Sequence, residues 1–212
     1  MKRLFFGMVG ALLVFAARAE LFKDGETVCF LGDSITHGGR FHSYVYDYYL
    51  TRFPDRTVRF VNAGISGDSA GGAQGRLADD VIGKRPAAVD VMFGMNDVGR
   101  GQYVAEPGER QRAGQQRALE SFRSNMERLT ARLLAEAGGP RLLFVTPSPF
   151  DQTGINDRNN NQPGCNDGLA RCAEIVRELA ARNKGTVVDF HAPMTDFNLK
   201  PLPLEVEIRH RA

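Results

Sequence analysis

Residues 27–36 read Thr-Val-Cys-Phe-Leu-Gly-Asp-Ser-Ile-Thr, an apolar run that suits a buried strand and ends abruptly at Gly32. A strand that stops at a glycine and then presents Ser34 places a hydroxyl at its carboxyl end, where open α/β sheets carry their ligands. Ser34 could act as a nucleophile, or it could cap the helix that follows. The segment therefore predicts the first strand of an α/β fold and leaves both roles of the serine open.

Four more short apolar runs follow, and segments with helical periodicity separate them. The predicted strands cover residues 57–61, 88–93, 141–147 and 186–190, and the predicted helices cover residues 41–53, 76–83, 112–137 and 168–183. These strands lack strict polar–apolar alternation, which is typical of strands covered on both faces. The order βαβαβαβαβ therefore predicts an α/β fold with a central parallel sheet of about five strands between helices, in one domain over residues 20–212.

The first 19 residues have the three parts of an export signal. A basic start is followed by an apolar run over residues 4–16, and Ala17-Arg18-Ala19 matches the pattern of a cleavage site before Glu20. The apolar run of about 13 residues is shorter than the roughly 20 that a membrane-spanning helix needs. We therefore expect a cleaved signal peptide over residues 1–19, a secreted or periplasmic protein, and no stable membrane insertion after cleavage.

The charge balance changes when this segment is removed. The whole chain has 27 Lys and Arg residues and 25 Asp and Glu residues, which gives a formal net charge of +2. Residues 1–19 hold Lys2, Arg3 and Arg18 and no acid, so residues 20–212 have 24 basic and 25 acidic residues and a charge of −1. The basicity belongs to the export signal, and we expect no nucleic-acid partner.

The three cysteines resemble no zinc motif, and the glycine-rich segment after the second strand lacks the P-loop and dinucleotide fingerprints. We therefore expect no metal and no cofactor. Cys29 lies in the first strand and is expected to be a small buried side chain. Export permits a disulfide between Cys165 and Cys172 only if Cys165 lies off the helix that carries Cys172, because seven helical residues span about 10 Å. That pairing stays open, as does the oligomeric state.

Three successive strands end in polar loops. The first loop presents Ser34, the second offers backbone N–H groups at glycines, and the third presents the carboxamide of Asn96. The carboxyl ends of parallel strands lie at one edge of a sheet, so we expect the three loops to meet. A hydroxyl nucleophile beside converging hydrogen-bond donors is the arrangement that acyl transfer requires. Each loop alone could be an ordinary turn, but the three together favour a nucleophilic role for Ser34.

The same loops resemble a known family. Residues 32–36 (Gly-Asp-Ser-Ile-Thr), 62–69 (Asn-x-x-x-x-Gly-Asp-Ser) and 94–97 (Gly-Met-Asn-Asp) are similar to the first three conserved blocks of the SGNH (GDSL-type) hydrolases. The resemblance implies a flavodoxin-like three-layer α/β/α sandwich. It also implies that Ser34 is the nucleophile, and that the backbone N–H groups of Ser34 and Gly67 and the side chain of Asn96 form the oxyanion hole.

The fourth block of that family, a D-x-x-H motif that supplies the general base, is not matched. Residues 207–210 (Glu-Ile-Arg-His) follow the fifth strand by roughly 20 residues, and Glu can orient an imidazole as Asp does. Glu207 and His210 are therefore a candidate substitute pair. The alternative is that residues 201–212 arise from a truncation or a reading-frame change, since this atypical tail has no likeness to the family.

The sequence thus predicts an exported serine esterase of the SGNH type that works through an acyl-enzyme on Ser34. A near-neutral charge and a rim rich in Asn and Arg favour a small-molecule or glycan ester as the partner, with deacetylation of a carbohydrate as the leading reaction. Two alternatives stay open. One is a lysophospholipase, thioesterase or arylesterase of the same family, and the other is a catalytically impaired carbohydrate-binding relative that lacks the base.

Overall fold

Five parallel strands form one sheet in the computed structural model, which describes residues 22–150 and 162–199. The strands are β1 (Thr27–Gly32), β2 (Arg59–Gly64), β3 (Ala88–Met92), β4 (Arg141–Val145) and β5 (Thr186–Val188). Their order across the sheet is β2-β1-β3-β4-β5, and each neighbouring pair is parallel. This is the flavodoxin-like order with its switch point between β1 and β3, so the predicted α/β/α fold is confirmed.

The helices of the described residues lie between and after these strands. They are α1 (Ser34–His37), α2 (Arg40–Arg52), α3 (Leu77–Asp80), α4 (Glu109–Glu136), α5 (Cys165–Arg182) and α6 (His191–Leu199). Short 3₁₀ turns lie at Gly72–Gly75, Ile82–Lys84 and Arg100–Gln102. The sequence predicted α2 to α5. It missed α1, which is a single turn too short to show a period, and α6, whose apolar residues do not recur on one face.

The larger core lies between one face of the sheet and the helices α3, α4 and α5. Strand residues such as Leu31, Val91 and Phe144 are at most 1% exposed on this side. Phe122 and Met126 of α4 are buried in the same cluster. The apolar side of α4 therefore faces the sheet.

The opposite face has a smaller and more aromatic core. Val28, Phe30 and Ala88 are buried there, and Phe41 and Val45 of α2 pack against them. The rings of Phe30 and Phe41 meet edge to face at 5.8 Å between centroids. Helix α2 is thereby fixed directly behind α1, which carries Ser34.

The predicted helix over residues 76–83 is divided in the structure. Helix α3 ends at Asp80, and Val81 leaves helical geometry with φ −124° before a 3₁₀ turn begins at Ile82. Val81 is fully buried, so packing against the core overrides the local helical preference. Only one turn of α-helix therefore follows Arg76.

The cysteines are unpaired thiols. Cys29 is buried in β1, as predicted. Cys165 is the first residue of α5, the helix that also carries Cys172, and both side chains are buried. The condition that left a disulfide open, with Cys165 off that helix, is not met. Burial raises the pKa of Cys165 to about 11 and that of Cys172 further, so both remain protonated thiols at neutral pH.

Several sequence predictions fall outside the described residues. These are the export signal over residues 1–19, and Glu207 and His210 within the tail. Within the described ranges, no helix has the length and apolar character needed to cross a bilayer.

Phe122→Ala tests the packing of α4 on the sheet. Phe122 is 1% exposed, and removing a buried phenylalanine side chain costs about 3–5 kcal/mol because a cavity remains. We expect urea unfolding to show a loss of that size. Phe197→Ala, at a position that is 62% exposed, is the matched control and should change the free energy of unfolding by less than about 0.5 kcal/mol. Similar losses in the two variants would contradict this packing.

Candidate active site

Asp33, not Ser34, caps the helix that follows β1. Its Oδ1 accepts a hydrogen bond from the Ile35 N–H at 2.9 Å, and Asp33 is only 1% exposed. Burial raises the pKa of Asp33, although the bond from Ile35 lowers it. Ser34 is the first residue of α1 and is exposed, and its Oγ has no hydrogen-bond partner among the described residues. The serine hydroxyl is therefore available for another role.

Glycines end both strands that lie beneath α1. A Cβ on Gly64 would collide with the backbone of His37, and one on Gly32 would collide with the Thr36 side chain and the Met92 carbonyl. The first helical turn therefore lies directly on the ends of β1 and β2, which only glycine permits. This close approach fixes the height of Ser34 above the edge of the sheet.

Gly67 lies in the loop after β2, with φ +80°. No atom lies within 4 Å of the place where a Cβ would be, so backbone conformation rather than space requires glycine here. The Gly67 N–H makes no hydrogen bond with the described residues. The loop therefore presents a free backbone donor.

Asn96 follows β3 and faces the second loop. Its Nδ2 donates a hydrogen bond to the backbone carbonyl of Asp68 at 2.8 Å, and the residue is half-buried. A carboxamide nitrogen carries two protons, so one remains for another acceptor. The structure thus brings Asn96 to the residue next to Gly67.

Hydrogen bonds tie the first loop to the second. The Ile65 N–H donates to the Gly32 carbonyl at 3.1 Å, and the Ser66 N–H donates to His37 Nδ1 at 3.1 Å. Asn62 Nδ2 donates to the His37 carbonyl at 3.0 Å. Ser34, Gly67 and Asn96 therefore belong to one connected group of loops at the carboxyl edge of the sheet.

Asp97 connects the second loop to the third. Its Oδ1 accepts from the Ala70 N–H at 2.9 Å, and its Oδ2 accepts from the Gly94 N–H at 3.1 Å. Burial raises the pKa of Asp97 to about 6, and the carboxylates of Asp33 and Asp68 add to the rise, while the two hydrogen bonds oppose it. The loop that presents Asn96 is thus held by a carboxyl group that titrates near neutrality.

Each histidine among the described residues is hydrogen-bonded to a group other than Ser34. His37 Nδ1 lies 3.2 Å from Ser66 Oγ, and His42 Nε2 lies 3.0 Å from the Thr36 carbonyl. His191 Nδ1 lies 3.2 Å from the carbonyl of Pro147, and burial lowers the pKa of His191. Within the described ranges, no histidine is hydrogen-bonded to Ser34.

A cavity of about 400 Å³ lies beside Ser34. Its walls come from α1, α2, the segment after β4 and the start of α6. Most of its lining is apolar, and the lining residues are Ser34, Ile35, Gly38, Arg40, Phe41, Ser148, Phe190 and Met194. The site therefore combines an exposed serine with an apolar recess. Within the described residues, no cluster of His, Cys, Asp and Glu side chains could hold a metal ion.

Comparison with known families agrees with this arrangement. The family described as GDSL-like Lipase/Acylhydrolase matches residues 30–204, which is most of the chain. The chain belongs to this family. The predicted GDSL-type identity is thereby confirmed, and ester hydrolysis is the chemistry that the family and its esterase members support.

Two known proteins resemble this chain at the level of sequence. An acetylxylan esterase of Geobacillus stearothermophilus is 36% identical over 95 residues, which cover 38% of this chain and 43% of that protein. A gut microbial diltiazem-metabolizing enzyme of known structure is 35% identical, with a TM-score of 0.75, over 85% of this chain and 40% of that one. Each of these matches therefore covers less than half the length of the relative.

A second solved structure supports the fold alone. A variant of Axe2, an acetyl-xylooligosaccharide esterase from Geobacillus, superposes with a TM-score of 0.67 at 23% identity over 90% of this chain and 88% of that chain. The superposition covers almost the whole of both chains and supports the fold described above.

Two residues that bind backbone groups at this edge of the sheet were not predicted from the sequence. Asp97 lies within the third motif, but its role as a clamp between loops depends on Ala70, a residue distant in the sequence. Arg76 carries no motif, and only its place after a glycine-rich loop could have drawn attention to it. Both bind backbone groups whose positions depend on tertiary structure.

The raised pKa of Asp97 predicts a distinctive pH dependence of stability. A carboxyl group whose folded pKa lies above its unfolded value contributes stability that is fully present below about pH 4 and is lost as the pH rises through about 6. Asp97→Asn cannot lose this contribution. We therefore expect its free energy of unfolding, relative to wild type, to rise by roughly 2–3 kcal/mol between pH 4 and pH 7.

Urea unfolding at a series of pH values measures this difference. Asp79→Asn removes an exposed carboxylate from α3 and is the control for the general effect of charge. A difference between Asp97→Asn and wild type that does not change with pH, or that changes in the opposite direction, would show that the pKa of Asp97 is not raised.

Proposed function

We propose that this chain is an exported serine ester hydrolase that forms an acyl-enzyme on Ser34 and removes acetyl groups from a carbohydrate or another small polar ester. The observation that carries the proposal is the exposed Ser34 hydroxyl. Asp33 caps the helix, so the Ser34 hydroxyl is not needed for capping. The donors of Gly67 and Asn96 belong to loops that are hydrogen-bonded, directly or through one another, to the loop of Ser34.

The reaction divides into acylation and deacylation. Ser34 Oγ attacks the ester carbonyl carbon, and its proton passes to a general base. The negative charge on the tetrahedral intermediate accepts hydrogen bonds from the N–H groups of Ser34 and Gly67 and from Asn96 Nδ2. The alcohol leaves with the proton from the base. Water then attacks the acyl-enzyme by the same route and releases the acid.

His210 is the proposed base, with Glu207 as its partner. Of the four histidines, three lie among the described residues, and none of these is hydrogen-bonded to Ser34. Without a base, the Ser34 hydroxyl is a weak nucleophile, and loss of a triad member lowers such rates by roughly 10⁴-fold. The proposal of activity therefore depends on a general base, for which Glu207 and His210 are the candidate pair in this sequence.

The substrate rests on two kinds of support. The related acetylxylan esterase is named for an acetylated polysaccharide, and the charge of residues 20–212 is close to neutral. The apolar recess beside Ser34 favours a second candidate, an ester or thioester with a longer acyl chain, because Phe41, Phe190 and Met194 would cover such a chain. Export rests on the sequence of residues 1–19.

Ser34→Ala tests the nucleophile. We expect wild-type residues 20–212 to hydrolyse p-nitrophenyl acetate and to react with a fluorophosphonate probe, and the variant to do neither. Ser43→Ala removes an exposed hydroxyl from α2 and should behave as wild type. A series of p-nitrophenyl esters from acetate to decanoate then separates the two substrate candidates by the chain length at which kcat/KM is highest.

Wild type that neither turns over these esters nor reacts with the probe would exclude the hydrolase proposal. Binding of xylo-oligosaccharides by that inactive protein, measured by calorimetry, would instead support a carbohydrate-binding relative that has lost the base.

His210→Ala tests the proposed base. We expect kcat to fall by roughly 10⁴-fold, because the proton of Ser34 then has no acceptor. Glu207→Gln should cause a smaller loss, since the imidazole remains. Arg211→Ala is the control for disturbance of the same segment and should retain activity. Full activity of His210→Ala would exclude this pair and require a different base.

A further inference from the structure

The guanidinium group of Arg76 lies between the ends of two strands. Its Nη1 donates to the Ala63 carbonyl at 2.7 Å, and its Nη2 donates to the Gly32 carbonyl at 3.2 Å. Gly32 ends β1 two residues before Ser34, and Ala63 is the penultimate residue of β2. One side chain therefore binds the backbone of both strands at the edge where the candidate site lies.

The same guanidinium group holds the carboxylate of Asp68. The Asp68 Oδ2 accepts from Arg76 Nε at 2.7 Å and lies 2.6 Å from Arg76 Nη2. A planar guanidinium makes such forked bonds in a fixed geometry, which a lysine ammonium cannot reproduce. The pair is largely buried, with side-chain exposures of 16% for Arg76 and 10% for Asp68, so water competes little for these bonds.

Asp68 in turn fixes the positions of the two donor groups, the Gly67 N–H and the Asn96 carboxamide. It directly follows Gly67, its backbone carbonyl accepts the bond from Asn96 Nδ2, and its Oδ1 accepts from the Ser69 N–H at 2.8 Å. A Cβ on Gly72 would collide with the same Oδ1, so the 3₁₀ turn leaves the carboxylate no room to move in that direction. The position of Asp68 thus sets the positions of Gly67 and Asn96.

We propose that Arg76 is a positioning residue for the hydrolase, and that it sets the distance between Ser34 on the first loop and the donors of Gly67 and Asn96 on the second and third. It acts through Gly32 on the serine side and through Asp68 on the donor side. This inference rests on the proposed function. Displacement of a reacting group by about 1 Å can lower a rate by about 10²-fold, so a clamp that touches neither substrate nor nucleophile controls kcat.

Arg76→Lys keeps the positive charge but loses the forked hydrogen bonds of the guanidinium group to Asp68. We expect kcat to fall by about 100-fold with KM changed by less than about twofold, because the substrate still binds but the donors no longer meet the developing oxyanion. The matched control is Arg132→Lys. Arg132 of α4 also joins a backbone carbonyl, that of Gln74 at 2.6 Å, to a carboxylate, that of Glu136 at 2.7 Å. It binds neither strand end, so kcat should stay near the wild-type value.

A purely structural role predicts a different result. In that case Arg76→Lys and Arg132→Lys would each lower the melting temperature, but kcat of the folded protein would stay unchanged. That outcome would overturn the proposal. Asp68→Asn supplies a second test that keeps the backbone carbonyl of residue 68. Its loss of kcat should be less than additive with that of Arg76→Lys, since both changes break the same link.

A measurement without turnover separates this proposal from the proposed function. In ¹⁵N–¹H spectra of wild-type protein, we expect the signals of the Gly67 amide and the Asn96 carboxamide to shift or broaden in Arg76→Lys and to stay in place in Arg132→Lys. If wild type hydrolyses no ester, the proposed function fails, yet these signals still decide the role of Arg76. If the protein is active but the two signals and kcat are unaffected by Arg76→Lys, the positioning role is wrong and the hydrolase proposal stands.

Discussion

The site depends on the pairing of β1 with a parallel strand on each side. Gly32 is opposite Gly64 of β2 and Met92 of β3, so the three strands end at nearly one line. Each chain segment then turns away from the sheet within a few residues, and the polar groups appear just beyond that line. This register brings the loops that carry the serine, the free N–H group and the carboxamide to the same edge of the sheet.

Small residues and short hydrogen bonds permit close packing at that edge. Helix α1 lies directly on the strand ends because Gly32 and Gly64 have no side chains, and the Asp33 carboxylate accepts a hydrogen bond from the Ile35 N–H at the start of that helix. Capping by the residue before the serine is what leaves the hydroxyl unoccupied. The two roles that seemed to compete for Ser34 are thus divided between neighbours, with Asp33 as the cap.

The carboxyl groups at this edge of the sheet are compensated in different ways. Asp33, Asp68 and Asp97 are close enough that each of the other two raises the pKa of Asp97. Arg76 compensates Asp68 directly, whereas Asp97 relies on two backbone N–H groups. The second loop is therefore fixed by an ion pair, and the third by a carboxyl group whose charge changes near neutral pH. The GDSL motif alone reveals neither the ion pair nor this titration.

The sequence by itself determined the alternation of strands and helices, the parallel sheet and the three loops with Ser34, Gly67 and Asn96, because apolar runs and glycine-bearing motifs are local patterns. It could not fix the strand order from periodicity alone, the ends of α3, or the cap of α1, since these depend on contacts between distant segments. Only the tertiary structure decided that Cys165 shares a helix with Cys172, that Asp97 bridges two loops, and that Arg76 joins two strands to Asp68. The physical reason is that these roles belong to backbone carbonyls and N–H groups, which every residue carries and which acquire a partner only when the chain has folded.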